Sequence, residues 1–186
     1  ETLALLQDET MRLAQLVEDV LDLARADAAG GRLQPSTVDL RKLIDDALAA
    51  QSSAIVKKSI TVRIDDGLPS TLIHADADRL ARVLRNLTDN AVQYAPAKSV
   101  VGIRLSEEGS TKRVDYANTA PDLLSDDLPY LFERFYRGEK SRSRHHGGAG
   151  IGLSIVKELV EAHGGSVHAR VEDKQIIIGF SLPTAS

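Results

Sequence analysis

The apolar positions at the start of the chain repeat as they do in a helix that packs against another helix. From Thr2 to about Ala28 the sequence contains neither glycine nor proline. Its apolar residues recur at intervals of 7, 3, 4 and 3: Leu6, Leu13, Leu16, Val20 and Leu23. This spacing predicts a coiled-coil-like seam. The alternative is a terminal helix that packs on its own domain, although about 25 residues of helix would run near 40 Å, longer than a small domain is wide.

The first predicted helix ends at a pair of glycines. Gly30-Gly31 is typical of a helix terminus, and Pro35 opposes any continuation. We therefore predict a boundary here, with residues 1–30 forming part of a helical segment and residues 31–186 forming a compact domain.

The rest of the chain mixes helical and strand-like periodicities. Helices are predicted from an Asp39 cap to about Lys58, from about Asp76 to Tyr94, and from Gly152 to His163. Strands are predicted near residues 60–64, 72–73, 101–105 and 113–117. A terminal hairpin is predicted in which Val167, Ala169 and Val171 face Ile176, Ile178 and Phe180 across a turn at Glu172-Asp173. The strands and helices follow no regular βαβ alternation. We therefore predict an α/β fold in which one layer of helices covers one face of a mixed, largely antiparallel sheet.

The composition is that of a soluble globular protein and limits the chemistry available. Apolar residues make up 42% and charged residues 27% of the 186 residues. The net charge of −4 gives no general attraction to nucleic acid or to anionic membranes. There is no cysteine, which excludes disulfides, thiol nucleophiles and cysteine-ligated metals. We identify neither an apolar run long enough to span a bilayer nor a signal peptide.

The helix predicted between Asp76 and Tyr94 carries two stripes. Its apolar face is predicted to join the core: Leu80, Val83, Leu84, Leu87 and Ala91. On another arc, Asn86 and Asn90 lie one turn apart, with their side chains about 6 Å from each other. Asparagine is a mediocre helix former, so this pair indicates either a solvated polar face or carbonyl oxygens that ligate a hard cation such as Mg²⁺.

A glycine-rich run, Gly147 to Leu153, leads into the third predicted helix. Glycines allow close approach of a ligand, and the following helix N-terminus attracts phosphate. The spacing matches neither the dinucleotide fingerprint nor the Walker A loop. Five basic side chains precede it between Arg134 and Arg144, and they suit a polyphosphate. Each feature alone could be a linker or a solvated loop, but together with the asparagines they predict a nucleotide site.

Four stretches resemble motifs of the bacterial sensor histidine kinases. Residues 82–91 resemble the N box of this family, residues 131–137 its F box, and residues 147–153 its G2 box. Residues 11–27 resemble the second helix of the dimerisation and phosphoacceptor domain. The order and spacing of these stretches agree with the family as well, so the resemblance covers essentially the whole chain.

The resemblance implies a Bergerat ATP-binding fold, a two-layer α/β sandwich, preceded by a long N-terminal helix. It implies a protein-histidine kinase of a two-component signal transduction system, with ATP and Mg²⁺ as cofactors. Such a transferase passes the γ-phosphoryl group to a histidine and onward to a response regulator. We expect that histidine to lie outside this chain, in a parent phosphoprotein that forms a homodimer through the N-terminal helix. The family habit also implies a cytoplasmic domain anchored to the inner membrane through N-terminal segments.

Site residues follow from the same resemblance. Asn90 would hold Mg²⁺, and Asn86 would have the catalytic role beside the phosphates. The residues implied to bind the nucleotide are Asn86, Asn90, Tyr94, Asn118, Ala120, Arg137, Gly148, Gly150, Ile151, Gly152 and Leu153.

The G1 box departs from the family pattern of Asp-x-Gly-x-Gly. The matching run begins at Asn118, has Ala120 at the first glycine and Asp122 at the second. A neutral Asn118 can still accept a hydrogen bond from the adenine amino group, though about half as strongly as a carboxylate. Gln93 also stands where many relatives have a phosphate-binding lysine.

Three interpretations remain from the sequence. The first is a working kinase catalytic domain, which the N, F and G2 boxes favour. The second is a degenerate module with weak or no ATP binding that acts through dimerisation, regulator binding or phosphatase activity. The third is another Bergerat-fold ATPase of the gyrase, Hsp90 or mismatch-repair type, against which the N-terminal helix and the F box argue.

Overall fold

The computed structural model describes residues 33–119, 125–136 and 150–184. The N-terminal seam and the boundary at residue 30 lie outside the described residues, as do Ala120, Arg137 and Gly148. The helices are α1 Leu40–Ala50, α2 Ser52–Lys58, α3 Ala77–Tyr94 and α4 Gly152–Ala162, with a 3-10 helix at Ser125–Tyr130. The strands are β1 Pro35–Asp39, β2 Thr61–Asp66, β3 Leu72–Asp76, β4 Val100–Glu108, β5 Thr111–Thr119, β6 Ser166–Glu172 and β7 Gln175–Pro183.

The main sheet has five strands in the order β2-β4-β5-β7-β6. Strands β2 and β4 run parallel, and every other neighbouring pair in this sheet is antiparallel. Strands β1 and β3 form a separate antiparallel pair. The predicted mixed, largely antiparallel sheet is therefore confirmed.

The core lies between the helices and one face of the main sheet. Alternate residues of β4, namely Val101, Ile103 and Leu105, are almost fully buried. The apolar stripe predicted for the helix at residues 76–94 is buried in α3 in full: Leu80, Val83, Leu84, Leu87 and Ala91. Because these residues fix the side of α3 that meets the sheet, the asparagine stripe of the same helix is directed elsewhere.

Asp76 caps α3 and bonds it to the end of α4. Its carboxylate accepts hydrogen bonds from the backbone N–H groups of Arg79, at 3.2 Å, and Gln34, at 3.0 Å. Burial acts to raise the pKa of Asp76, but these hydrogen bonds lower it below its usual value overall. The Asp76 backbone N–H donates to Nε2 of His163 at 3.1 Å, while Nδ1 of the same ring bonds the Leu159 carbonyl at 2.7 Å. The start of α3 and the end of α4 are therefore bonded to each other.

Two predicted boundaries differ from the structure. The helix predicted from Asp39 to about Lys58 is broken at Gln51, whose N–H bonds the Leu48 carbonyl at 3.1 Å in a tighter turn. The terminal hairpin has the predicted facing residues, but it turns at Asp173 and Lys174 instead of Glu172-Asp173. Both turn residues have positive φ, 48° and 65°, which suits the twist of a two-residue hairpin.

The outer face of the sheet carries a cluster of charges around Asp115. The Asp115 side chain is only 8% exposed and contacts Nε2 of His168 at 2.5 Å, Nε of Arg113 at 3.1 Å and Nη2 of Arg170 at 3.3 Å. Burial opposes the charge, but His168 and the two arginines lower the pKa of Asp115 to about 2. A Cβ at Gly179 would overlap Asp115 Oδ1, so glycine is required beneath this cluster.

None of the helices in the described parts of the chain is long and apolar enough to cross a membrane.

Candidate functional site

The N box and the G2 box meet where α3 passes the first residue of α4. A Cβ built on Gly152 would lie 2.9 Å from Oδ1 of Asn86. The Asn86 amide is oriented by a hydrogen bond from its Nδ2 to the Arg82 carbonyl, one turn earlier, at 3.0 Å. Residues that are far apart in the sequence are thus brought into direct contact, as the nucleotide-site interpretation requires.

We expect Gly152→Ala to weaken ATP binding about tenfold, about 1.4 kcal/mol, because the added Cβ would move the Asn86 carboxamide away from the start of α4. The added methyl group would displace either the Asn86 amide or the first turn of α4. The measurement is the dissociation constant for ATP together with the melting temperature. Gly102→Ala is the matched control, since the nearest atom to its Cβ is Ala117 Cβ at an ordinary 3.7 Å. Unchanged ATP affinity in Gly152→Ala would contradict a shared site.

The start of α4 presents backbone N–H groups without a competing side chain. Its cap residue, Ile151, makes no side-chain capping bond, and the first turn contains no acidic residue. Gly150 precedes it with a φ of 75°. Below it, the Ser154 hydroxyl is buried and donates to the Ile151 carbonyl at 2.7 Å. A helix end with no capping side chain and no acidic residue in its own first turn suits a phosphate.

Asn90 and Tyr94 lie along α3 after Asn86. Asn90 follows one turn later and is half-buried. Tyr94 is the last residue of the helix and 41% exposed. Residues four apart share a helix face, so Asn90 lies beside Asn86, and Tyr94 lies beside Asn90 but about 80° round the helix from Asn86.

Asn118 lies near the end of β5, in the middle of the main sheet. It pairs with Val101 of β4 and Ile176 of β7 and is only 4% exposed. Its Nδ2 donates to the Thr119 carbonyl at 3.2 Å. The donor end of the amide is therefore engaged by backbone, which leaves the carbonyl oxygen as the acceptor for a ligand.

A buried hydrogen bond fixes α3 on β5. The hydroxyl groups of Thr88 and Tyr116 lie 3.0 Å apart beneath the helix. Burial raises the pKa of Tyr116 well above its usual value, so the phenol stays protonated and able to donate. Thr88 lies between the two asparagines in the sequence, and the bond therefore holds the helix at the point that carries them. The sequence singled out neither residue.

The F box residues contact the 3-10 helix, α4 and the residue before α4's cap. Nη2 of Arg134 contacts Oε1 of Glu158 at 2.5 Å, so this arginine, which the sequence grouped with the phosphate-binding charges, is engaged in an ion pair. The Tyr136 hydroxyl donates to the Asp127 carboxylate, and its ring lies 5.5 Å from that of Tyr130. The Phe135 N–H bonds the Gly150 carbonyl at 2.9 Å and joins the F box to the start of the G2 helix.

The described residues contain no group of three or more His, Cys, Asp or Glu side chains that could hold a metal ion. Magnesium is commonly bound through one or two protein oxygens together with waters and substrate phosphates. The carboxamide oxygens of Asn86 and Asn90 on α3 are donors of this kind.

Residues 75–186 match the family described as histidine kinase-, DNA gyrase B- and HSP90-like ATPases. The chain is 35% identical over 170 residues to the signal transduction histidine-protein kinase BaeS of Escherichia coli K12, a match that covers 91% of this chain and 36% of BaeS. It is 36% identical over 172 residues to the sensor protein SphS of Synechococcus elongatus. That match covers 87% of this chain and 41% of SphS. The chain thus spans well under half the length of these curated relatives.

A solved structure with a similar fold is that of full-length ShkA in complex with AMPPNP. It superposes with a TM-score of 0.79 at 31% sequence identity, covering 94% of this chain and 36% of that chain.

Proposed function

We propose that this chain binds Mg²⁺-ATP between α3 and α4. The chain belongs to the histidine kinase-, DNA gyrase B- and HSP90-like ATPases, and it is the ATP-binding catalytic domain of a sensor histidine kinase. The observation that carries this proposal is the contact between Asn86 and Gly152 beside the uncapped start of α4. The contact brings the side of α3 that carries Asn86 next to the uncapped start of α4.

The proposal gives roles to described residues of α3, β5 and α4. The carboxamide oxygen of Asn90 would hold Mg²⁺, and the first N–H groups of α4, with Gly150 and Ile151 before them, would bind the phosphates. Asn118 would accept a hydrogen bond from the adenine amino group, since its Nδ2 is already engaged by backbone. The resemblance adds Ala120, Arg137 and Gly148 to this set.

The protein's task would be positioning and electrostatic stabilisation. When bound, Mg²⁺ neutralises charge that develops on the phosphate oxygens during transfer. Asn86, held by Arg82 and adjacent to Gly152, would orient the transferring phosphoryl group as the catalytic residue. The F box joins this part of the site through the bond between Phe135 and Gly150.

The reaction we propose for the whole protein is phosphoryl transfer from ATP to a histidine and then to a response regulator. The named functions of BaeS and SphS as a signal transduction kinase and a sensor protein support this. We further propose that residues 1–30 belong to the dimerisation domain, through which the parent forms a homodimer. The catalytic domain, residues 31–186, would lie in the cytoplasm, with a membrane anchor in other segments of the parent.

A degenerate module with weak ATP binding is the second candidate. The neutral amide of Asn118 favours it, because an uncharged acceptor binds the adenine amino group less strongly than a carboxylate. The orientation of that amide argues for retained binding, since the Thr119 carbonyl keeps the NH₂ group engaged.

The test of the proposed reaction is phosphoryl transfer between separate polypeptides. The chain is incubated with Mg²⁺, γ-labelled ATP and the dimerisation domain of its own parent. We expect acid-labile, base-stable label on the dimerisation domain and none on this chain, with Asn90→Ala as the inactive control. Stable label on a histidine of this chain, or no transfer despite tight ATP binding, would contradict the proposed reaction.

A further inference from the structure

We propose that Lys58 is a positioning residue of the nucleotide site, acting through the C-terminal end of α3. Its Nζ contacts three backbone carbonyl oxygens there: Val92 at 2.8 Å, Gln93 at 2.7 Å and Ala95 at 3.2 Å. The inference rests on the proposed function of α3, since Asn86, Asn90 and Tyr94 are all on this helix.

The chemistry of the contact fits a helix end. The last carbonyl groups of a helix have no partner within the helix and carry partial negative charge. An ammonium group has three donors and a full positive charge, so it matches three such oxygens. The last turn of α3 contains no basic residue of its own, and its cap residue is Ala95 in an extended conformation. The cation at this helix end is therefore supplied by α2.

Further hydrogen bonds link the region of α1 and α2 to the same half of α3. Nε2 of Gln51, between α1 and α2, donates to Oδ1 of Asp89 at 2.6 Å. The Lys98 N–H, just after α3, donates to the Lys58 carbonyl at 2.8 Å. Thus α2 is bonded to α3 at both of its ends, on either side of the turn that contains Asn90.

The last turn of α3, whose carbonyl groups Lys58 contacts, ends with Tyr94. The carbonyls of Val92 and Gln93 immediately precede it, and that of Ala95 follows it. Without the ammonium group these oxygens would mutually repel or turn to solvent, and the last turn would fray. Fraying would displace Tyr94 and loosen Asn90 one turn earlier, although Lys58 need not touch the nucleotide.

The test compares Lys58→Met with Lys57→Met in the full chain. Lys57 is the adjacent residue on α2 and is exposed, so both variants lose one lysine charge from the same helix. We expect Lys58→Met to raise the dissociation constant of Mg²⁺-ATP about fivefold, in line with the usual effect of a cation at a helix end. Lys57→Met should leave it unchanged, and Lys58→Arg should restore it to within about twofold because guanidinium donors can replace the ammonium.

Amide hydrogen exchange supplies a second readout that needs no nucleotide. In Lys58→Met alone, the amides of residues 91–95 should exchange about tenfold faster, as expected for local opening of a helix end. Ile64→Ala, on strand β2, serves as a variant of lowered overall stability, since Ile64 packs against the core. Both readouts are taken at a temperature where every variant is folded.

Equal ATP affinity in Lys58→Met and wild type, or an equal loss in Ile64→Ala, would overturn the inference. If the wild-type chain binds no ATP, the proposed function fails, and hydrogen exchange still decides the role of Lys58. Unchanged exchange at residues 91–95 would show that the ammonium does not hold this turn.

Discussion

Asn90→Ala is expected to weaken Mg²⁺-ATP binding about 100-fold, toward the residual affinity measured without magnesium, as removal of metal-binding groups commonly does. Asn90 follows Asn86 by one turn of α3, and alanine removes the only oxygen ligand that this position offers. Because alanine is a better helix former than asparagine, the helix itself should not be weakened. The measurement is a titration with ATP in the presence of Mg²⁺ and then of a chelator.

The matched controls for this variant are on the same helix. Arg85→Ala removes an exposed side chain from α3 and should leave the magnesium dependence intact. Asn90→Asp keeps an oxygen ligand and should retain magnesium-dependent binding. If Asn90→Ala bound Mg²⁺-ATP as tightly as the wild type, the metal would have to be held elsewhere, and the assignment of Asn90 would be wrong.

Asn118→Asp is expected to tighten ATP binding about fivefold, because a charged acceptor adds roughly 1 kcal/mol to a hydrogen bond. The same change should lower the free energy of unfolding of the ligand-free chain by about 1–2 kcal/mol. The aspartate would lose the bond from Nδ2 to the Thr119 carbonyl and place a charge at a position that is 4% exposed. Calorimetric affinity and thermal melting should be measured on the same preparation.

Opposite signs in these two measurements identify the adenine contact. A substitution that merely repaired the packing of β5 would raise affinity and stability together. Asn118→Ala should lose both affinity and stability, since it removes the acceptor and the bond to Thr119. Weaker ATP binding in Asn118→Asp would show that the Asn118 oxygen does not face the adenine amino group.

The helices and strands that were predicted most accurately are those whose apolar residues recur at a regular local spacing. The apolar stripe of α3 and the facing residues of the β6-β7 hairpin are confirmed. Strand β1 was not predicted because Pro35–Asp39 contains one buried apolar residue, Val38, and becomes a strand only by pairing with β3. The break at Gln51 was missed because the apolar pattern continues on both sides of it.

In the candidate site too, the features set by local periodicity were predicted and the long-range contacts were not. The spacing of Asn86 and Asn90 was visible in the sequence because a helix repeats every turn. The contact of Asn86 with Gly152, the bond of Thr88 to Tyr116 and the contacts of Lys58 join residues that are distant in the chain. No local pattern encodes such contacts. The sequence predicted that the asparagines and the glycine-rich run belong to one nucleotide site, but not which atoms meet.

The most direct test is a calorimetric titration of the chain with ATP, with and without Mg²⁺. We predict magnesium-dependent binding with a dissociation constant on the order of micromolar to sub-millimolar, the usual range for enzyme substrates. Binding that appears only after Asn118→Asp would identify the degenerate module. Absence of binding in the wild type and in Asn118→Asp, at any magnesium concentration, would contradict a nucleotide site between α3 and α4.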